Sequence, residues 1–276
     1  MSIIIIILAI FSLYIIWQYF FYAPWTRDAR VRAKIITIAP DVSGFVTKIY
    51  VTDNQKVEKG DLIFTIDNER YKTEFNEKEA LLEHALIEAQ LAQEKYSRRE
   101  KLGKTGAISP EDLDDYLMEK KLKEADFKNA KADFETAKIN LRRTKIYAPI
   151  TGTINNISLR QGNYATASEP VMSIVKNNSF YITGYFEETK LPNIQIGKKV
   201  QIQLMSNTEP LHGHVISIGK AIADDNTNVN SQLLPKVQQT YDWVRLSKRI
   251  PVDISLEDIP ENINLVSGIN ATVKIQ

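Results

Sequence analysis

The chain contains 276 residues, in which 35 lysines and arginines nearly balance 34 aspartates and glutamates. This net charge of +1 gives no support for nucleic-acid binding, which depends on a basic surface. The sequence contains no cysteine, which excludes disulfides, thiolate metal sites, cysteine nucleophiles and a lipid-modified N-terminal cysteine.

The first element is an apolar N-terminal segment. Ile3–Trp17 is almost uniformly apolar, and no A-x-A cleavage motif precedes Pro24. About 20 helical residues span a bilayer core of roughly 30 Å, and aromatic side chains favour its interface. We therefore predict a retained transmembrane anchor within residues 1–25, with its helix over Ile3–Tyr22. The aromatic residues at its end are Tyr19, Phe20, Phe21, Tyr22 and Trp25.

Basic residues next to the anchor favour a cytoplasmic orientation. Arg27, Arg30, Arg32 and Lys34 all follow the apolar segment, and no basic residue precedes it. The positive-inside rule then places the bulk of the chain in the cytoplasm. A basic segment supplied by an upstream start codon would reverse this prediction.

A β-rich motif occurs twice in the chain. Gly44 and Ile66 of the first copy correspond to Gly152 and Ile174 of the second, with an offset of 108 residues in both pairs. Alternating apolar residues and turn signals predict strands in both copies. After a connector over Pro24–Lys34, we predict one β domain in two halves that close only on each other. The first half, with its connector, covers residues 26–67 and the second covers residues 144–176.

Residues 68–143 between the two halves have the pattern of an antiparallel helical hairpin. Apolar residues recur every seven positions in two arms, which is typical of a coiled coil. Gly103, Gly106 and Pro110 interrupt the pattern once, and Ser109 is placed as the N-cap of the second arm. The predicted seam contains Phe75, Leu82, Ala85, Ala89, Ala92 and Tyr96 in the first arm and Phe127, Ala130, Phe134, Ala137 and Leu141 in the second.

Residues 177–276 contain short alternating strands separated by turns, which predict a small antiparallel β-barrel. Arg30–Ile35 is a candidate for an additional strand of this barrel. The fold class is therefore mainly β with a long α-helical hairpin and an N-terminal transmembrane helix. The predicted barrel strands are Phe180–Phe186, Val200–Leu204, Val215–Ile218, Val252–Leu256 and Ala271–Ile275.

The two β halves resemble a split lipoyl/biotinyl-like domain. With the anchor, the hairpin and the barrel, the chain resembles membrane fusion proteins of the HlyD type. These are periplasmic adaptors of tripartite efflux pumps and type I secretion systems. The most specific element is the spacing of Arg98, Leu102 and Ser109 at the hairpin turn, which adaptors that dock onto TolC-like outer-membrane channels share. The resemblance implies that these three residues form a channel-docking tip.

Several segments are similar to the adaptors of p-hydroxybenzoic (aromatic carboxylic) acid efflux pumps. This resemblance implies a proton-driven exporter as the inner-membrane partner and self-association into a ring of six copies. It also implies a single-pass protein of a Gram-negative inner membrane, with the bulk of the chain in the periplasm and aromatic acids or toxic amphiphiles as exported compounds. The segments are Pro24–Arg30, Ile38–Gly44, Leu62–Asp67, Asn178–Leu191 and Trp243–Ile254.

Each tip residue also has a simpler explanation. Arg98 could be a solvated side chain, Leu102 could close the hairpin, and Ser109 could serve as an N-cap alone.

Two other functions of the whole chain also remain open. Adaptors of type I (ABC) secretion systems share the architecture but usually carry longer coiled coils, and the charge asymmetry favours a signal-anchored cytoplasmic scaffold. We adopt the periplasmic adaptor because a tip for an outer-membrane channel has no use in the cytoplasm.

No set of residues in the sequence predicts catalysis. A lipoyl carrier would need an acceptor lysine in the turn that the hairpin replaces. His212 and His214 could approach a metal from one face of a strand, but a surface pair beside a turn explains them as well. Glu187 and Glu188 are adjacent on a strand and face opposite sides, so they do not form a carboxylate pair. We predict no enzymatic activity, no cofactor and no metal.

Overall fold

The computed structural model describes residues 4, 7–8, 10–14, 23–105, 107–207, 209–222, 247–257, 259–260 and 263–276. They belong to two compact units, one formed by Ile35–Lys176 and the other by the described residues of Met1–Lys34 and Asn177–Gln276. Most of the predicted anchor lies outside the described residues. Within them, no helix is both long and apolar enough to cross a membrane.

Fourteen strands, two long helices and one 3-10 helix (Glu188–Asn193) make up the described parts of the two units. The first part of the chain contains β1 (Trp25–Arg32), β2 (Ile35–Ile38), β3 (Gly44–Ile49), β4 (Lys56–Val57), β5 (Leu62–Ile66), α1 (Glu69–Gly103) and α2 (Pro110–Arg143). The remainder contains β6 (Lys145–Tyr147), β7 (Gly152–Asn155), β8 (Tyr164–Ala165), β9 (Met172–Lys176), β10 (Tyr181–Glu187), β11 (Lys199–Leu204), β12 (Leu211–Ile218), β13 (Arg249–Glu257) and β14 (Asn270–Ile275).

The two β halves interleave in two four-stranded sheets. One sheet has the order β2-β9-β7-β4 and the other has the order β6-β5-β3-β8, so each sheet takes two strands from each half. The shared core includes Ile63, Phe64, Ile154 and Ile174, none of which has measurable exposure to solvent. Neither half completes a sheet by itself, which confirms the prediction that they close only on each other.

The offset of 108 residues is visible in the backbone as well as in the sequence. Asn54 and Gly162 both have a left-handed conformation, with φ of 62° and 87°. Gly60 and Ser168 form a second equivalent pair, with φ of 99° and 65°. The two halves therefore repeat their turns as well as their strands.

The hairpin arms pack antiparallel, as the sequence predicted. The rings of Phe75 and Phe134 lie 5.1 Å apart near the base. Nearer the turn, Lys95 Nζ lies 3.4 Å from Glu119 Oε1. The small side chains that let the helices approach are buried, and they are Ala85, Ala89, Ala92 and Ala137. With 35 and 34 residues, the arms are each about 50 Å long.

An ion pair between Glu88 and Lys123 joins the middle of the two arms. Lys123 Nζ donates a hydrogen bond of 2.9 Å to Glu88 Oε2. This hydrogen bond lowers the pKa of Glu88 from its usual 4.5 and raises the pKa of Lys123 from its usual 10.5. The pair therefore favours the folded hairpin between these two pH values.

We expect Glu88→Gln to make the hairpin less sensitive to acid. Since the pKa of Glu88 is lowered on folding, its stabilising contribution is complete above pH 4.5 and is lost as pH falls through the folded pKa. The effect should be small, as for most solvent-accessible pairs. The helical circular-dichroism signal, followed through thermal unfolding between neutral pH and acid, measures it.

Glu135→Gln is the matched control because Glu135 lies 3.9 Å from Lys138 within one helix and joins no second arm. It should leave the acid dependence unchanged. Equal acid profiles for Glu88→Gln and the unsubstituted protein would contradict a stabilising role for the pair across the arms.

The second unit contains a closed antiparallel barrel with the order β1-β10-β13-β12-β11-β14. Its interior is filled by alternate residues of the strands, as expected for a small barrel. Val200, Ile202 and Leu204 of β11 and Val252 and Ile254 of β13 are buried there. All five strands predicted for residues 177–276 are confirmed, with ends that differ by a few residues.

The interpretation of Pro24–Lys34 as a connector was wrong. Trp25–Arg32 forms β1, which pairs with both β10 and β14 and closes the barrel. The inward residues Thr26 and Ala29 are separated by a β-bulge, which interrupts the alternation that identifies a strand in a sequence. The candidate barrel strand Arg30–Ile35 is confirmed for Arg30–Arg32, which pair with β10, but Ile35 begins β2 in the other unit.

Candidate functional site

The hairpin turn is closed through the backbone of Leu102. Its carbonyl oxygen accepts hydrogen bonds from the backbone nitrogens of Thr105 at 3.1 Å and Ala107 at 3.2 Å. The hydroxyl of Thr105 donates a further bond of 2.8 Å to the same oxygen. These contacts satisfy a carbonyl at the end of α1 that has no partner within the helix.

The side chain of Leu102 is partly exposed at the turn, whereas its backbone closes it. The exposed fraction of Leu102 is 43%. The space beside Gly103 is instead occupied by Leu113 Cδ2 and Ile108 Cγ2, which would lie 3.4 and 3.5 Å from a Cβ added at Gly103. Leu113 and Ile108 thus supply apolar packing at the tip, and Leu102 presents an apolar side chain to solvent.

Arg98 lies one helical turn before Leu102, so the two side chains emerge on the same face of α1. Its guanidinium lies 3.7 Å from the carboxylate of Glu94, and both side chains are about two-thirds exposed. An exposed pair of this kind contributes little to stability. The guanidinium can therefore exchange Glu94 for a partner at low cost.

Ser109 is the N-cap of α2, as predicted. Its Oγ accepts a hydrogen bond of 3.1 Å from the backbone nitrogen of Asp112 and donates one of 2.7 Å to the Asp112 carboxylate. Pro110 occupies the first helical turn, which also contains Glu111. The capping role is thus confirmed, and one lone pair of the hydroxyl remains for a further contact.

The tip is suited to binding rather than to chemistry. It offers one guanidinium, one exposed leucine and one hydroxyl on a rigid support. A single tip of this size presents far less surface than a stable interface of about 800 Å² per partner. Several tips acting together would be needed for lasting attachment to a partner.

Two of the other groups considered in the sequence, His214 and Glu187, have structural partners. His214 Nδ1 lies 2.9 Å from both Glu257 Oε1 and Ser255 Oγ. Glu187 lies 3.7 Å from Lys190 Nζ. In the described part of the chain, no group of three histidine or acidic residues is placed to hold a metal ion.

Comparison with known families matches both units of the chain. Residues 34–177 match the family model described as RND MFP, barrel-sandwich hybrid domain, and this match covers more than half of the chain. The chain belongs to the membrane fusion protein family. Residues 179–276 match the model described as AAEA-like beta-barrel domain, which includes β10–β14 of this membrane fusion protein and leaves β1 outside.

Known proteins that resemble this chain match it over most of its length. YdhJ of Escherichia coli (strain K12), an uncharacterized protein, is 37% identical over 274 residues, which cover 99% of this chain and 96% of YdhJ. MacA from Actinobacillus actinomycetemcomitans superposes with a TM-score of 0.68 at 20% identity, covering 92% of this chain and 79% of MacA. The membrane fusion protein Spr0693 from Streptococcus pneumoniae R6 gives 0.66 at 13% identity, covering 91% and 98%. At these identities the two structures establish the fold alone.

Proposed function

We propose that this membrane fusion protein is the periplasmic adaptor of a tripartite efflux pump. In this role it links an inner-membrane transporter to a TolC-like outer-membrane channel. The observation that carries the proposal is the exposed pair Arg98 and Leu102 at the end of a hairpin about 50 Å long. Family members are generally not enzymes, and the adaptor would transmit contact between its partners without making or breaking a bond.

The exported compounds would be aromatic carboxylic acids or toxic amphiphiles. The AAEA-like barrel match over residues 179–276 supports this subfamily, as do the similar segments at Pro24–Arg30 and Asn178–Leu191. The energy would come from a proton-driven transporter. The arms of 35 and 34 residues favour an efflux adaptor over a type I secretion adaptor, which usually has longer coiled coils.

Anchoring and self-association complete the proposal. The apolar segment Ile3–Tyr22 would hold the chain in the inner membrane with both folded units in the periplasm. A ring, proposed to contain six copies, would bring several tips to one channel. Such multivalency compensates for the small surface of each tip.

Photo-crosslinking from the tip in living cells tests this function. A photoreactive amino acid at Leu102 should trap an outer-membrane channel protein, because the side chain is exposed at the end of the hairpin. The matched control is Leu122, which is 61% exposed on α2 but lies more than three helical turns from Ser109. It should trap no channel protein.

The identity of the trapped proteins decides between the alternatives. Capture of cytoplasmic proteins alone would mean that the positive-inside rule holds and the chain is a cytoplasmic scaffold. If a well-expressed chain captures nothing at Leu102, the docking role of Arg98, Leu102 and Ser109 fails.

A further inference from the structure

A pocket of about 430 Å³ lies beside the first strand of the barrel. Its walls come from β1, β10, β13, β14, the 3-10 helix and Met205, which follows the end of β11. Aromatic surface is provided by Trp25 and Tyr185. Four cationic side chains face two carboxylates in the lining, so two positive charges are in excess. The cations are Arg27, Arg30, Lys190 and Arg249, and the carboxylates are Asp28 and Glu187.

Lys190 is the most deeply placed of these cations, at 7% exposure. Its Nζ donates a hydrogen bond of 3.2 Å to the carbonyl of Trp25 and lies 3.7 Å from a Glu187 carboxylate oxygen. Both Lys190 and Arg27 also approach the Trp25 ring, at 5.1 and 5.5 Å from its centroid. Two cations at one ring repel each other, and a bound anion would offset this repulsion.

Arg27 and Arg30 are the groups available to such an anion. The β-bulge after Thr26 places Arg27 outside the regular alternation of β1, and both arginines are exposed. Arg249 is engaged by Asp28. In the described ranges of the chain, no ion pair joins Arg27 or Arg30 to a carboxylate. Two guanidiniums that have no carboxylate partner and line one pocket are groups of the kind that bind a phosphate.

One wall of the pocket follows the proposed anchor closely along the chain, which limits the distance between the pocket and a membrane. Trp25 in the pocket wall comes only three positions after Tyr22, the end of the proposed anchor. Three residues of extended chain reach at most about 10 Å. Met205 adds an apolar side chain to the lining that is 81% exposed. An anchored chain would therefore hold this pocket at the level of the lipid headgroups.

We propose that the pocket binds the phosphate headgroup of an anionic membrane phospholipid and thereby seats the barrel on the bilayer. The inference rests on the proposed membrane anchoring. Arg27 and Arg30 bind the phosphate oxygens, Lys190 contributes charge from the pocket floor, and Met205 contacts the interfacial region. Free inorganic phosphate and a small aromatic carboxylate share this anionic chemistry, so the experiment must separate them from the lipid.

The full-length chain in neutral detergent micelles can be titrated calorimetrically with soluble short-chain lipids. We expect saturable binding of dihexanoyl phosphatidylglycerol. Dihexanoyl phosphatidylcholine, inorganic phosphate and benzoate should each bind at least about tenfold more weakly, because each lacks either the net negative charge or the attached glycerolipid. Arg27→Gln with Arg30→Gln should weaken phosphatidylglycerol binding by about tenfold or more.

The matched control pair is Lys34→Gln with Lys199→Gln. It removes the same charge from exposed positions of the same unit, and neither residue lines the pocket. It should change binding less than about twofold, as expected for distant surface charges in physiological salt. Equal weakening by both pairs would overturn the pocket as the site, because the attraction would then be a general effect of charge.

The remaining outcomes separate this inference from the proposed function. Phosphate or benzoate binding as tightly as phosphatidylglycerol would overturn the lipid assignment alone. A channel captured at Leu102 by a chain that binds no phosphatidylglycerol would likewise leave the adaptor function intact. Release of the full-length chain from membranes by alkaline extraction would overturn the anchoring and the lipid assignment together.

Discussion

Replacement of Gly152 by alanine should destabilise the β-sandwich by about 3 kcal/mol or more, a large part of the stability of a typical domain. A Cβ at this position would overlap the backbone carbonyl of Val175 and lie 2.6 Å from Ile174 Cγ2. The carbonyl belongs to the paired strand β9 and cannot move without breaking the sheet. Hydrogen exchange followed by mass spectrometry should show lost protection in β7 and β9, with the barrel strands as the internal reference.

The repeat supplies the matched control. Gly44 is equivalent to Gly152, and a Cβ there would lie 2.6 Å from Ile66 Cγ2, with the nearest backbone atom at 3.8 Å. Since the clash is with a side-chain methyl and not with the backbone, Gly44→Ala should cost less, about 1 to 2 kcal/mol. Equal losses of protection in the two variants would show that the Val175 carbonyl is not the deciding contact.

Under the proposed adaptor function, replacement of Leu102 by aspartate should abolish co-purification of an outer-membrane channel and resistance to the exported compound. An aspartate cannot fill an apolar groove, and loss of a central contact usually weakens an interface by tenfold or more. Because several tips act together, the loss of affinity at each tip would multiply in the whole assembly. Cells expressing the variant would be challenged with an aromatic carboxylic acid, and channel recovery would be measured on the purified adaptor.

Leu122→Asp is the corresponding control because it introduces the same charge at an exposed leucine of the hairpin shaft. It should retain both channel recovery and resistance. The helical circular-dichroism signal should be unchanged in both variants, since neither leucine is buried. Normal transport by Leu102→Asp would refute docking through this side chain.

The repeat and the hairpin seam were predictable because each follows from a local pattern. Gly44 and Gly152 mark equivalent backbone positions, and the buried alanines of α1 lie on one helical face. Strand β1 was missed since its bulge conceals the alternation. The exposure of Leu102 could not be deduced either, because Ile108 and Leu113 were equally plausible as residues that close the turn.

The pocket beside β1 left no signal in the sequence. Arg27, Lys190 and Arg249 come from three distant segments that only barrel closure brings together. The arginines that follow the predicted anchor were interpreted as topology signals, and their spacing gave no indication of a shared binding site. Sequence patterns identify elements, whereas a site assembled from several elements depends on strand order.

Barrel closure also constrains the order of events during synthesis. The first strand, β1, must wait for β14, whose residues are separated from it by nearly the whole chain. A nascent chain released before Asn270 leaves β1 and β11 with unpaired edges, which favour aggregation and proteolysis. The sandwich is completed earlier, when β9 emerges. Incomplete chains would therefore combine a finished sandwich and hairpin with an open barrel, which distinguishes them from full-length chains for cellular quality control.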